Sequence, residues 1–371
     1  MKKIIILFSL FFLTVFNTFS NDHIEISLLT CSSGKETFTA WGHSALRIQD
    51  NRANIDVVYN FGLFDFDTPN FYMKFIKGKL KYKLGAHRTQ NFYNSYLIEN
   101  REIIEQKLNL SDENKEKIIS RLEYLYKPEN RYYYYSFVKK NCTTELRDLI
   151  LENVETNFSN ETTNKTHREE INEYLHGRLW LKFSMSLIMG YKVDRKINKY
   201  EGMFLPYYLY NGIKDLIVNG EKLVEKENIY NDIEDEATYP LFLSPFFILS
   251  IVFLILVFFR SPLLQNSILL IIGITGLVIF SVSLITEHPE LRYNINPIWI
   301  NPLYIVLVFA TKKSKLKRYL AAFLQVLLIA MIPIWLFKFQ YFEWTYLPVF
   351  LLMTLFNLRI LYSQKKLYIK I

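Results

Sequence analysis

The feature that most limits how this chain can fold is the text after Pro240, where apolar runs follow one another with little charge between them. Five stretches are candidates to cross a bilayer: residues 241–259, 264–285, 295–310, 319–337 and 345–361. A hydrocarbon core of about 30 Å takes about 20 apolar helical residues to span. A single water-soluble protein is therefore excluded, and residues 241–371 are expected to form an all-α transmembrane bundle of about five helices. The third stretch is the shortest, and Asn296, Pro297, Asn301 and Pro302 interrupt its first half. Backbone groups freed there would find no water, so that half should face protein or a wet cavity.

Charge then orients the bundle. The loop from Thr311 to Arg318 carries Lys312, Lys313, Lys315, Lys317 and Arg318, and the tail carries Lys365, Lys366 and Lys370. The loops at 287–294 and 338–344 are nearly free of Lys and Arg. By the positive-inside rule the basic segments, and with them the C-terminus, are cytoplasmic. The net charge of +8 is thus explained by topology, and nucleic-acid binding loses its support. At the other end, Lys2 and Lys3 precede an apolar run from Ile4 to Phe16, followed by Thr18-Phe19-Ser20. That reads as a secretory signal over residues 1–20, with an uncleaved first helix as the alternative. Either way residues 21–240 lie outside the cytoplasm.

This exported unit is long enough to bury its own core. Residues 24–29, 44–48 and 56–61 read as strands, the last two joined by a polar turn at 49–54 as an antiparallel hairpin. Ser111-Asp112-Glu113-Asn114 opens a helix with Ile118, Ile119, Leu122 and Leu125 on one face, and another starts near Cys142 with Leu146, Leu149 and Ile150. Strands and helices mix without βαβ alternation, so the expected class is α+β. Between Arg178 and Leu209 the sequence is amphipathic and aromatic, suited either to a bilayer surface or to an ordinary core.

Cys31 and Cys142 are the two cysteines, and in an oxidising compartment a disulfide between them is one reading. The other is chemical. Cys142 stands at the first turn of a helix behind Lys139 and Lys140, where the helix terminus and the lysines favour a thiolate. His43, after Gly42 at the mouth of a strand, can serve as its base. If the hairpin turns near Asn51, residues whose numbers sum to about 103 face one another, which sets His43 against Asn60 as an orienting group. His288, at the outer membrane edge, can face the same site; Trp41, Tyr59 and Asn301 are further substrate-binding candidates. No CxxC, HxxxH or HExxH spacing occurs, so no metal is expected. Asp65 and Asp67 lie in a turn signature and read as caps.

Leu28-Leu29-Thr30-Cys31, Gly42-His43-Ser44-Ala45-Leu46-Arg47, Val58-Tyr59-Asn60-Phe61-Gly62 and Asn141-Cys142-Thr143-Thr144 together resemble the exported domain of the Lnb-type lipoprotein N-acyltransferases. Met203-Phe204-Leu205-Pro206 and Asn301-Pro302-Leu303 extend the resemblance over most of the chain. It implies a circularly permuted papain-like domain, with Cys142 as nucleophile, His43 as base and Asn60 as orienter. The role of Cys31 stays open between structure and chemistry. The implied reaction moves a fatty acyl chain from a membrane phospholipid to the α-amine of a diacylglyceryl apolipoprotein, without a cofactor, at the periplasmic face of a bacterial inner membrane. Two other readings remain: a membrane-anchored cysteine peptidase or amidase acting on cell-wall peptides, and a non-catalytic envelope scaffold with the cysteines disulfide-linked.

Overall fold

A computed structural model describes residues 23–154, 161–232, 240–311 and 314–368. The expected signal, Lys312, Lys313 and Lys370 lie outside the described residues.

Alternating apolar and polar residues give the N-terminal domain its strands. They are β1 (Ile24–Cys31), β2 (His43–Asp50), β3 (Ile55–Leu63), β4 (Lys81–Arg88), β5 (Ile103–Leu108) and β6 (Tyr132–Tyr134). Two small ribbons follow, β7 (Thr162–Thr166) with β8 (Lys196–Asn198) and β9 (Ile217–Val218) with β10 (Glu221–Lys222). The last strand, β11 (Val224–Tyr230), returns to the main sheet, whose order is β11-β5-β1-β2-β3-β4-β6. Its neighbours are all antiparallel, which fits the mixed class the sequence suggested.

One face of this sheet carries Ile26, Leu28, Leu46 and Ile48, and against it pack Ile118 and Leu122 of the helix Asp112–Tyr126 with Leu146, Leu149 and Ile150 of the helix Cys142–Leu151. Burying each such side chain contributes roughly 1.5–3 kcal/mol. The Ser111 hydroxyl caps the first of these helices by accepting from the Asn114 amide. The other face carries Leu29, Ala45 and Val58 against Phe92.

The β2–β3 hairpin differs from expectation in register. Leu46 faces Tyr59 and Arg47 faces Val58, so paired numbers sum to 105 instead of 103. The midpoint of the hairpin lies one residue further along the chain than assumed, in the loop between Asp50 and Ile55. A shift of one would have sent every side chain to the opposite face; a shift of two preserves sidedness, and His43 remains a diagonal neighbour of Asn60.

Among the described residues beyond Pro240 lie three helices long and apolar enough to cross a membrane, Pro262–Ile285, Lys315–Leu336 and Trp344–Ser363, and the shorter apolar helices Pro245–Phe258 and Asn296–Phe309. The interruption expected in the third span is present: a 3-10 turn at Asn296–Ile298 precedes a helix that begins only at Leu303. Its backbone is accommodated by glycines on the preceding helix. A Cβ on Gly276 would stand 1.7 Å from the Ile300 carbonyl oxygen, and one on Gly273 would stand 2.8 Å from the Ile305 nitrogen. Small residues thus let the broken segment sink into the bundle.

The helix Leu179–Ile188 joins the two parts. Its final carbonyls, which no intrahelical donor reaches, accept from bundle loops: Leu187 from the Asn294 and Asn296 side chains at 2.9 and 2.8 Å, and Ile188 from Asn294 at 2.8 Å. Trp180 donates to the Leu243 carbonyl and the Tyr346 hydroxyl to that of Phe183. This stretch therefore covers the bundle as a packed helix. The charge-poor loops all lie at the end that meets the N-terminal domain.

Candidate active site

Asn141 prepares the cysteine. Its side-chain oxygen accepts from the Thr143 and Thr144 amides at 2.8 and 2.9 Å, and its amide nitrogen donates to the Phe137 and Phe204 carbonyls at 2.6 and 2.9 Å. The Thr144 hydroxyl reciprocates by accepting from the Asn141 amide. Cys142 is thereby fixed as the first helical residue, half-buried, at the positive end of the helix. Gly62 lies beside it at φ +95°, a backbone conformation that favours glycine, and a Cβ there would be in ordinary contact with that of Cys142 at 3.7 Å.

His43 opens β2, and its ring lies within hydrogen-bonding reach of the Cys142 thiol. Its Nε2 is 2.5 Å from Asn60 Oδ1, which leaves Nδ1 as the nitrogen for the sulfur. Gly42 allows the approach to β2: it has φ +74°, and a Cβ there would meet the Cys31 carbonyl oxygen at 2.5 Å. Burial pushes the Cys142 thiol up, but the charge and hydrogen bond of His43, the Ser44 amide and the Thr143 hydroxyl outweigh it and bring the thiol down to about 7. For His43, burial alone would lower the pKa; the Cys142 thiolate and the Asn60 bond reverse this and leave it raised. Each group thus stabilises the charged form of the other.

Cys31 is a different sulfur. It faces His43 across the β1–β2 ladder but is 1% exposed, and burial raises its thiol to about 12. Both cysteines are free thiols, so the disulfide on which the scaffold reading rested is not formed here.

The remaining candidates fall elsewhere. Trp41 is buried, donates to the Ile171 carbonyl and packs on Phe137. It pins the segment before His43 to the segment before Cys142. Tyr59 lies on the face opposite Asn60, edge-on to Tyr126. His288 is 7% exposed, with Nε2 bonded to the Phe75 carbonyl at 2.8 Å and Nδ1 3.6 Å from Glu290. Nε2 thus docks the bundle on the N-terminal domain, while Nδ1 faces Glu290 of its own loop. Asn301 accepts from the Leu303 amide and caps the half-helix that follows. The structure thus unites Cys142, His43 and Asn60, and puts the other four in supporting positions. Asp65 accepts from the Asp67 amide in a turn, as its sequence suggested.

Three participants were invisible in the sequence. Glu290, in the loop after the span Pro262–Ile285, accepts from the Phe137 amide at 2.8 Å and lies 3.4 Å from the Ser136 hydroxyl. The Ser136–Lys140 turn leads directly to Asn141, so a bundle loop holds the segment that presents the cysteine. Tyr133 and Tyr135 stand near enough to Cys142 for its charge to add to burial in raising their phenols. The Tyr133 hydroxyl is buried without a well-formed partner. Neither contact has a local pattern: Glu290 meets residues about 150 positions away.

Comparison with known proteins matches residues 12–173 to the Lnb N-terminal periplasmic domain and residues 234–367 to the Lnb transmembrane domain. The chain belongs to the Lnb-type family. Both halves of its architecture are matched, in order, and the Lnb-type periplasmic region contains His43, Asn60 and Cys142. Searches among curated proteins and solved structures give no match.

Proposed function

We propose that this Lnb-type protein is an apolipoprotein N-acyltransferase that works through a thioester on Cys142. The observation that carries the reading is the geometry just described: a helix-terminal cysteine within reach of an imidazole whose far nitrogen is held by Asn60. The His-before-Cys order on a strand and a helix suits a circularly permuted papain-like domain. The five apolar segments suit five spans, with the basic loop and C-terminus on the cytoplasmic side of the inner membrane.

In the first half-reaction the Cys142 thiolate attacks the ester carbonyl carbon of a membrane phospholipid. A C–S bond forms and the ester C–O bond breaks. Imidazolium His43 gives its proton to the departing alkoxide, releasing a lysophospholipid. The developing oxyanion is met by the helix terminus, where the Cys142 amide is not taken by the Asn141 cap. In the second, the neutral α-amine of the diacylglyceryl cysteine attacks the thioester carbonyl. The C–N bond forms, the C–S bond breaks and His43 takes the ammonium proton, restoring the thiolate. An α-amine with a pKa of about 7.7–8.0 supplies a useful neutral fraction at pH 7. Outside the cytoplasm there is no nucleoside triphosphate, so an existing ester is a sensible source of activation.

The peptidase reading keeps the same residues and changes the product. Cells making the intact chain should yield lipoprotein N-terminal peptides carrying one additional fatty acyl mass on the α-amine, and cells lacking it should not. Peptidoglycan fragments cleaved by the purified protein, with lipoprotein termini unchanged, would favour the peptidase instead.

A further inference from the structure

We infer that the aromatic segment of residues 64–76, together with Phe38, docks into the outer surface of the bilayer and is the port by which a phospholipid acyl chain reaches Cys142. The second half of this inference rests on the proposed acyl transfer; the first does not.

The segment is unusually apolar for a surface. Tyr72 is 75% exposed, Phe38 59%, Phe66 57%, Met73 50% and Phe75 45%. Their rings are continuous, Phe38 lying edge-on to Phe64 and Phe66 at 5.9 and 6.0 Å, and Phe66 lying 4.9 Å from Phe71. A connected apolar patch of this kind marks a binding surface. Its height relative to the membrane is fixed by the chain itself. The span Pro262–Ile285 is followed at once by Glu287 and His288, which bond to the Lys77 and Phe75 carbonyls at 3.0 and 2.8 Å. Lys79 pairs with Glu287 at 3.1 Å, and a Cβ on Gly78 would press on Glu287 at 3.3 Å. The helix Phe71–Ile76 is therefore bound to the outer end of a spanning helix, at the level where aromatic side chains gather in membranes. That continuity with the bundle, and the lysines beside the rings, favour lipid over a protein partner.

The inner end of the patch leads toward Cys142. Phe64 lies 5.2 Å from Tyr82, which stacks on Tyr135 at 4.5 Å and lies 6.4 Å from Tyr133. Tyr133 and Cys142 pack against the same buried cluster, which includes Phe61. Gly62, on which a Cβ would touch that of Cys142, is two residues from Phe64 along the chain, a reach of about 6–7 Å. A chain lifted from the bilayer along these rings would stay out of water until its ester met the thiolate.

The test uses the full-length protein in phosphatidylethanolamine–phosphatidylglycerol vesicles. In F66W, the added indole, read as the fluorescence difference from wild type, should be quenched by lipids brominated on the upper acyl carbons. Quenching by aqueous iodide but not by brominated lipid would overturn the docking. In F66D/Y72D, acylation of Cys142 by vesicle phospholipid should fall at least about tenfold, while iodoacetamide still alkylates the thiol at a rate close to wild type. An equal fall in both would make the patch merely structural and overturn the port. A quenched indole in a protein whose wild type takes no acyl mass would remove the reaction and leave the docking. An unquenched indole beside normal acylation would remove the port and leave the reaction.

Discussion

Replacing His43 by alanine should slow thioester formation on Cys142 by about 10²–10⁴-fold, the usual worth of a positioned acid–base group, and should change how the thiol titrates. In the intact protein burial opposes ionisation of Cys142, and the His43 charge and hydrogen bond overcome it, giving about 7. Without the imidazole, only the Ser44 amide and the Thr143 hydroxyl oppose burial, and the thiol moves back up. The alkylation rate of Cys142 with iodoacetamide should therefore rise with pH through about 7 in the wild type and only at distinctly higher pH in His43→Ala. Because Cys31 is buried and raised to about 12, it contributes little over this range. In wild-type turnover, activity should climb as the thiolate forms and decline at higher pH as His43 loses the proton needed by the leaving alkoxide. Asn60→Ala should shift the same curves by less, since it removes one bond to the ring and leaves the ring in place. Unchanged titration in His43→Ala would mean that the imidazole does not act on the sulfur.

The largest stability effect is expected at Arg168, which is fully buried. Its guanidinium pairs with Asp194 at 2.5 Å and donates to the Ser186, Met189 and Gly190 carbonyls. Asp194 in turn accepts from the Tyr341 amide at 3.1 Å, in the loop between the last two long helices. Burial pushes the Asp194 carboxyl up, against the pull of Arg168. Arg168→Met leaves that carboxylate buried without its cation and strands three carbonyl oxygens, a loss of about 3–5 kcal/mol. It should appear as a lower thermal midpoint in detergent and as loosening of the periplasmic domain from the bundle. Arg168→Met combined with Asp194→Leu should recover part of the loss, because it removes the unpaired charge. A single variant as stable as wild type would show that the junction does not depend on this pair.

Local signals carried the triad of residues, and long-range contacts carried the rest. Asn141 before Cys142 is a capping pattern, so the helix start could be read directly. The His43–Asn60 pairing survived a mistaken register because only parity mattered, and parity is written in the alternation of Leu46 and Ile48 with Arg47 and Gln49. His288 was read as facing the site because a histidine at the membrane edge is chemically suggestive. The Phe75 carbonyl that occupies it lies 213 positions away, and no periodicity announces such a partner. The same distance in sequence hid Glu290. Tyr133 and Tyr135 were lost among a run of tyrosines whose inward and outward members look identical in the text. The break in the apolar segment 295–310 was legible from its prolines, whereas its partner Gly276 became meaningful only once the Ile300 carbonyl was seen against it.

The central claim is that Cys142 carries the acyl chain, and intact-protein mass spectrometry tests it most directly. Full-length protein incubated in phospholipid vesicles without acceptor should gain the mass of one fatty acyl group, removable by neutral hydroxylamine and mapping to the Cys142 peptide. Cys142→Ala should gain nothing. Transfer of an acyl chain to lipoprotein by Cys142→Ala, or an acyl group found on another residue of the wild type, would contradict the account.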